Sequence, residues 1–128
     1  MSNLSPYPFE MSEAVGVLLS DAVRDQNEVS DEMRTALVQR DIIKASVLAT
    51  RHAYISNIIY GLYWAIKYPD DEQEAAMKHD RYVDELIADL MQGAANRLAR
   101  YSLDPENEYQ KVLQRLAEIE SMRKPYPF

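Results

Sequence analysis

Apolar residues recur at helical spacing through most of this chain, and the longest such stretch runs from Asp31 to Tyr68. It contains no proline and no glycine before Gly61, and it follows Ser30, a residue type that caps helix N-termini well. At 100° per residue its apolar positions fall on one face. That face consists of Met33, Ala36, Leu37, Val47, Leu48, Tyr54, Ile55, Ile58, Ile59, Leu62, Ala65 and Ile66. The pattern predicts one central helix over residues 31–68.

Beyond Ala53 the opposite side of this predicted helix is apolar as well. This second face consists of Tyr60, Tyr63, Trp64 and Tyr68, together with Ala53 and Asn57. Tyr and Trp combine a large ring with a polar tip and are enriched where proteins contact each other. Because a helix that is apolar on both sides needs cover on both sides, we predict that the second face binds a protein partner or a second copy of the chain. Cover by another helix of the same chain is the alternative.

Three further helices are predicted from capping signals. Ser12 can begin a first helix that reaches about residue 28, and Asp70 or Asp71 a third that reaches about residue 101. Asp104-Pro105 combines a capping residue with proline at the first helical position, which predicts a fourth helix to about residue 123. No segment shows strand alternation. We therefore predict an all-α, four-helix bundle-like single domain over residues 1–128, with long second and third helices.

The tetrapeptide Pro-Tyr-Pro-Phe occurs near both ends of the chain, at residues 6–9 and 125–128. Proline fixes φ and removes an amide donor, so we expect extended arms over residues 1–10 and 124–128. Aromatic residues on such arms can dock into grooves of a neighbouring molecule. The candidates for partner binding on the arms are Tyr7, Phe9, Tyr126 and Phe128.

The net charge of the chain and its lack of cysteine exclude some classes of function. The net charge is −7, distributed as −6 over residues 1–32, +4 over 33–68, −7 over 69–108 and +2 over 109–128. An acidic chain without a basic face is unsuited to binding nucleic-acid phosphates. The absence of cysteine excludes disulfides and thiolate chemistry and favours a cytoplasmic location. The sequence shows neither a secretory signal nor a membrane span.

Three cations lie close together on the predicted central helix. Arg40, Lys44 and Arg51 share the angular sector of its apolar face, where an unpaired charge would be costly. They can pair with acids such as Asp21, Asp25, Asp80 or Asp84. Alternatively they form an anion-binding site, since guanidinium groups bind phosphates and carboxylates in bidentate fashion.

The two histidines suggest a metal-site alternative. His52, the His79-Asp80 dipeptide and Asp104 follow one another in an order that resembles the H…HD…D ligands of the HD-domain phosphohydrolases, with Asp84 one turn beyond the dipeptide. The resemblance implies a metal-dependent phosphohydrolase that uses His52, His79, Asp80 and Asp84. Apolar residues usually precede the dipeptide in that family, whereas Met77-Lys78 stand here, and the ordinary interpretation is a histidine at the edge of the core.

Acidic residues are dense at the start of the third helix and along it. The cluster consists of Asp70, Asp71, Glu72, Glu74, Asp80, Asp84, Glu85 and Asp89. All-α nucleotide pyrophosphohydrolases bind Mg²⁺ with acidic motifs on two facing helices, but the central helix offers only Asp41. Helix capping and a solvated face are the simpler interpretation.

These observations favour a non-catalytic, regulatory role through protein–protein contacts, as an adaptor, an inhibitor or a small subunit of a larger assembly. We expect a homodimer without cofactors. The metal-dependent phosphohydrolase of the all-α type is the alternative.

Overall fold

The computed structural model describes the backbone of residues 6–66 and 70–123 and the side chains of residues 13–65 and 70–123. Within these ranges the chain forms four helices and no strand, which confirms the all-α prediction: α1 (Pro6–Val38), α2 (Ile42–Ile66), α3 (Asp71–Arg100) and α4 (Pro105–Glu120). Because α1 begins at Pro6, residues 6–10 of the expected N-terminal arm are helical. The C-terminal arm, residues 124–128, lies outside the described residues. No helix in the described ranges is long and apolar enough to cross a membrane.

The break between the first two helices lies at residues 39–41, so the predicted continuous helix over residues 31–68 is wrong. Arg40 has a φ of 59°, and its amide donates to the Leu37 carbonyl while the Asp41 amide donates to the Ala36 carbonyl, at 2.9 and 2.8 Å. This pair of hydrogen bonds is the Schellman arrangement that ends many helices. The first helix is consequently the longest of the four, with 33 residues.

Asp41 begins the next helix immediately. Its carboxylate accepts a hydrogen bond from the Lys44 amide at 3.0 Å, which satisfies one of the amides that a helix start leaves without a partner. Arg40 in turn is held by side-chain contacts: its Nε donates to Glu106 at 2.8 Å, and its guanidinium lies 4.8 Å from the centre of the Tyr109 ring. Contacts with α4 therefore support a residue in a backbone conformation that L-amino acids rarely adopt.

The starts of α3 and α4 match the capping prediction. Asp70 and Gln73 form a capping box, in which the Gln73 amide donates to Asp70 Oδ1 at 2.8 Å. At α4, Asp104 accepts from the Glu106 amide at 3.1 Å, and Pro105 is the first helical residue. The acids at the beginning of the acidic cluster thus lie in the first turn of α3, where they interact favourably with the helix dipole.

The helices pack mainly in chain order, α1 on α2, α2 on α3 and α3 on α4. With 16 residues, α4 is about 24 Å long, against about 45 Å for the 30 residues of α3. The core cluster lies at the end of the bundle that α4 covers, and its buried apolar side chains come from residues 29–37, 42–53, 83–94 and 109–119. Met77 of α3 is also buried, outside this cluster. At the other end, no side chain of α1 between Glu13 and Glu28 is buried.

Gly93 lies inside α3, a position where glycine often marks the close approach of a neighbouring helix. A Cβ placed there would meet only the end of the Arg97 side chain, at 3.4 Å. Within the described residues, no neighbouring helix comes close to this position.

Candidate functional site

A buried carboxylate joins three helices at the middle of the bundle. Asp84 of α3 is 2% exposed and accepts a hydrogen bond from the Ser56 hydroxyl of α2. That hydroxyl accepts from Gln26 Nε2 of α1 at 2.8 Å. His52 Nδ1 lies 3.5 Å from Asp84 Oδ1. Gln26 belongs to α1, Ser56 and His52 to α2, and Asp84 to α3, so these contacts link the three helices.

The segment that follows α4 closes over the same carboxylate. Arg123 donates to both Asp84 and Asp80, to the latter at 2.6 Å. The His79 ring donates through Nε2 to the Met122 carbonyl at 2.6 Å. Burial alone would lower the pKa of Arg123, but the hydrogen bond and charge of Asp84, helped by Asp80, raise it above its ordinary value. The guanidinium therefore stays charged and fastens the end of α4 to α3.

Two cavities flank this cluster. The larger, about 300 Å³, is lined by all four helices, and the smaller, about 220 Å³, by α1, α2 and α3. The larger is lined by Gln26, Ser30, Met33, Arg34, Leu37, Ala49, His52, Asp80, Asp84, Ile87, Leu116, Glu120 and Arg123. At about 300 Å³ the larger cavity lies at the lower end of the range for ligand pockets.

The cluster has the parts of a proton-transfer site but no nucleophile. Burial lowers the pKa of His52 below its ordinary value, although the charge of Asp84 opposes this effect. The imidazole is therefore neutral at pH 7, and its Nδ1 faces the Asp84 carboxylate. However, the Ser56 hydroxyl donates to Asp84 and not to His52. The serine–histidine pairing that activates a hydroxyl is absent from this cluster.

The metal-site candidates are only partly brought together. His52, Asp80 and Asp84 line the same cavity, whereas His79 is bound to a carbonyl and Asp104 caps α4. Arg123 occupies oxygen atoms of both carboxylates that a metal ion would need. Among the residues whose side chains are described, no group of three or more His, Asp or Glu is arranged to hold a metal ion.

The second surface of interest is the outer face of α2. Four large apolar side chains there are 52–70% exposed: Ile43, Val47, Tyr54 and Ile58. Their spacing continues to Gly61 and Ala65, both exposed, and positions 43, 54 and 65, like positions 47 and 58, recur after eleven residues along one side of the helix. We call these six residues the outer stripe. Three of them, Val47, Tyr54 and Ile58, belong to the face that was expected to be in the core.

The aromatic residues predicted to bind a partner lie mostly between helices. Tyr60, Tyr63 and Trp64 are half-buried, and Tyr60 and Tyr63 line the smaller cavity. The Tyr60 and Trp64 rings meet edge to face with centroids 6.4 Å apart, and the Arg81 guanidinium lies 4.5 Å from the centre of the Tyr60 ring. Tyr68 and the arm side chains of Tyr7, Phe9, Tyr126 and Phe128 lie outside the described residues. For all of these residues partner binding stays a prediction.

The three anion-binding candidates are exposed and lie outside both cavities. Arg40 is in the turn before α2, where it pairs with Glu106 of α4 and not with the acids of the first or third helix. The hydrogen bond from Arg40, together with one from Gln110, lowers the pKa of Glu106. Lys44 and Arg51 border the outer stripe on α2.

Sequence reasoning missed the outer stripe and the link between Ser56 and Asp84. The stripe was detectable: once Asp41 is treated as the cap of α2, the apolar residues at 43, 47, 54 and 58 recur at helical spacing, separately from the buried set. The Ser56–Asp84 hydrogen bond joins residues 28 positions apart, and no local pattern indicates it. Comparison of the chain with protein-family models, with curated proteins and with solved structures gave no match.

Proposed function

We propose that this protein acts by binding another protein chain through the outer stripe of α2, as a non-catalytic adaptor, inhibitor or small subunit. A single observation carries the proposal: α2 buries one side in the bundle and exposes large apolar side chains on the other. Isolated exposed apolar residues are ordinary on protein surfaces, but a contiguous row of them marks an interaction site.

The physical driving force is the removal of this row from water. Burying a large apolar side chain completely contributes about 1.5–3 kcal/mol. Ile43, Val47, Tyr54 and Ile58 are each a little over half exposed in the free chain, so covering them contributes roughly 1 kcal/mol apiece. Tyr54, the most exposed of the four, also has a hydroxyl that can bind polar groups at the edge of an interface.

The polar cluster around Asp84 supports the proposed non-catalytic role indirectly. A buried carboxylate that receives hydrogen bonds from Ser56 and Arg123 is already satisfied by its own chain. The cluster therefore has a sufficient explanation in holding the helices together. The metal-dependent phosphohydrolase remains the competing hypothesis, and it requires Arg123 to release Asp80 and Asp84.

The experiment compares three immobilised chains as baits in an extract of the source cells: wild type, Ile58→Glu and Tyr82→Glu. Tyr82 is the matched control, because it is an apolar residue of similar exposure on α3, outside the outer stripe. We expect wild type and Tyr82→Glu to retain the same bound chain, whether a second copy or another protein, and Ile58→Glu to lose it. Equal retention by all three baits would refute the proposal.

The phosphohydrolase hypothesis is tested separately by thermal unfolding with Mn²⁺ or Mg²⁺. Stabilisation by either ion that disappears in Asp80→Ala would favour the enzyme. An unchanged melting temperature would favour the contact protein.

A further inference from the structure

We infer that the occupant of the outer stripe is a second copy of this chain, with the two α2 helices antiparallel and Tyr54 at the two-fold axis. The inference rests on the proposed function and adds to it the identity and the orientation of the partner. Three properties of the stripe carry it: its symmetry in sequence, its gradient of side-chain size and the positions of the charges beside it.

The stripe is symmetric about its middle residue. Its positions are 43, 47, 54, 58, 61 and 65, with Thr50 in the remaining place of the repeat. In an antiparallel pair centred on Tyr54, Ile43 faces Ala65 of the second copy and Val47 faces Gly61. Thr50 faces Ile58. Tyr54 therefore faces its own copy, and Ile43, Val47, Gly61 and Ala65 meet other residues of the stripe, as a self-complementary two-fold contact requires. Ile58 meets Thr50, a half-buried residue at the edge of the stripe that accepts a hydrogen bond from Gln92 of α3.

Side-chain size changes along the stripe in the way that this pairing needs. Its N-terminal end carries the branched Ile43 and Val47, and its C-terminal end the small Gly61 and Ala65. An antiparallel pair places Ile43 and Val47 against the small Ala65 and Gly61 at both ends of the contact, with the two Tyr54 side chains at its middle. A parallel pair would place large against large at one end and leave a gap between glycines at the other.

Gly61 is the most informative of these residues. Glycine in an exposed helix interior costs about 1 kcal/mol relative to alanine. Nothing in the described part of the chain requires it, because a Cβ placed on Gly61 would meet no described atom within 4 Å. A second helix that approaches closely at this position supplies the missing reason, since the absence of a side chain leaves room for Val47 of the other copy.

The charges next to the stripe also favour the antiparallel orientation. α2 contains Lys44 and Arg51 and no acidic residue. In a parallel pair each cation would face its own copy. In the antiparallel pair Arg51 faces the uncharged Asn57, and the two Lys44 residues lie about 30 Å apart along the helix axis, from a rise of 1.5 Å per residue. The two Arg51 residues lie about 9 Å apart along the axis, so repulsion between the copies is weaker than in a parallel pair, where they would be level.

The experiment first measures solution mass by light scattering across micromolar concentrations, using the full chain. We expect twice the chain mass of 14.8 kDa for wild type and for Tyr82→Glu, and the mass of one chain for Tyr54→Glu, which places two carboxylates at the symmetry axis. A wild-type chain that is monomeric throughout overturns the inference. Selective loss of a different captured protein in Ile58→Glu would then leave the proposed function standing.

The orientation is tested by thiol cross-linking, for which the chain is well suited because it contains no cysteine. Mixed Ile43→Cys and Ala65→Cys chains should form a cross-linked heterodimer with a short bifunctional reagent. Ala65→Cys alone should not cross-link, because its two copies would lie about 33 Å apart along the axis. Cross-linking of Ala65→Cys to itself, without the mixed product, would overturn the antiparallel arrangement. Circular dichroism of each variant confirms that it remains helical.

Discussion

The helix break at Arg40 can be tested by comparing the stabilities of Arg40→Gly and Arg40→Ala. Which of the two variants is more stable depends on whether the helix ends at this residue. A non-glycine residue with φ near 60° costs about 1–2 kcal/mol relative to glycine, because its Cβ crowds the following carbonyl oxygen. Replacing Arg40 by glycine relieves this cost, and replacing it by alanine does not. Both substitutions remove the contacts with Glu106 and Tyr109, so the difference between the two variants isolates the backbone effect.

The structure therefore predicts that Arg40→Gly is more stable than Arg40→Ala by about 1 kcal/mol. A helix that continued through this residue would give the opposite order, because glycine in a helix interior is about 1 kcal/mol less stable than alanine. The two possibilities differ by about 2 kcal/mol, well outside the error of a pairwise comparison.

Urea unfolding followed by circular dichroism at 222 nm measures the difference. With a denaturant slope of about 2 kcal/mol/M, the glycine variant should unfold about 0.5 M later than the alanine variant. Both proteins must be compared at one concentration, because self-association would make stability depend on concentration. An alanine variant as stable as the glycine variant, or more stable, would refute the helix break at residues 39–41.

Two further predictions concern the polar cluster. Asp84→Asn should lower the free energy of unfolding by about 3 kcal/mol, because Arg123 loses the most buried of its carboxylate partners. Asp80→Asn should lower it clearly less, and equal losses in urea unfolding would contradict the central place of Asp84. Stability should also fall as pH decreases from 7 to 5.5, because the unfolded chain takes up a proton at a histidine whose pKa is lower in the folded state. The decrease in the free energy of unfolding between pH 7 and 5.5 should be smaller in His52→Asn than in wild type. An identical pH dependence in the two proteins would show that His52 does not cause the decrease.

The starts of α3 and α4 were readable from the sequence because each depends on a side chain that acts locally, whereas the starts predicted for the first two helices, after Ser12 and Ser30, were wrong: α1 begins at Pro6 and α2 at Ile42. Asp70 and Asp104 accept hydrogen bonds from amides two or three residues further on, and aspartate is favoured at such positions for this reason. No long-range information is needed. The starts of α3 and α4 were accordingly placed to within a residue.

The end of α1 was not readable, because the usual signal is glycine at the left-handed position and Arg40 stands there instead. Its conformation is supported by Glu106 and Tyr109, more than 60 residues away in the chain. A pattern of neighbouring residues cannot contain that information. Because the break was missed, the predicted orientation of the α2 residues was wrong. Val47, Tyr54 and Ile58 were therefore assigned to the core, although they are exposed.

The distribution of satisfied and unsatisfied groups distinguishes the two candidate sites. Inside the bundle, Asp84 receives its hydrogen bonds from Ser56 and Arg123 of its own chain, so the cluster is complete without a ligand. On the outside, α2 presents an apolar row that nothing in the described chain covers. Polar groups gain most from partners when buried and apolar groups gain most when removed from water. Covering the outer stripe would therefore remove more apolar surface from water than binding at the cluster, which is why we propose that a partner binds there.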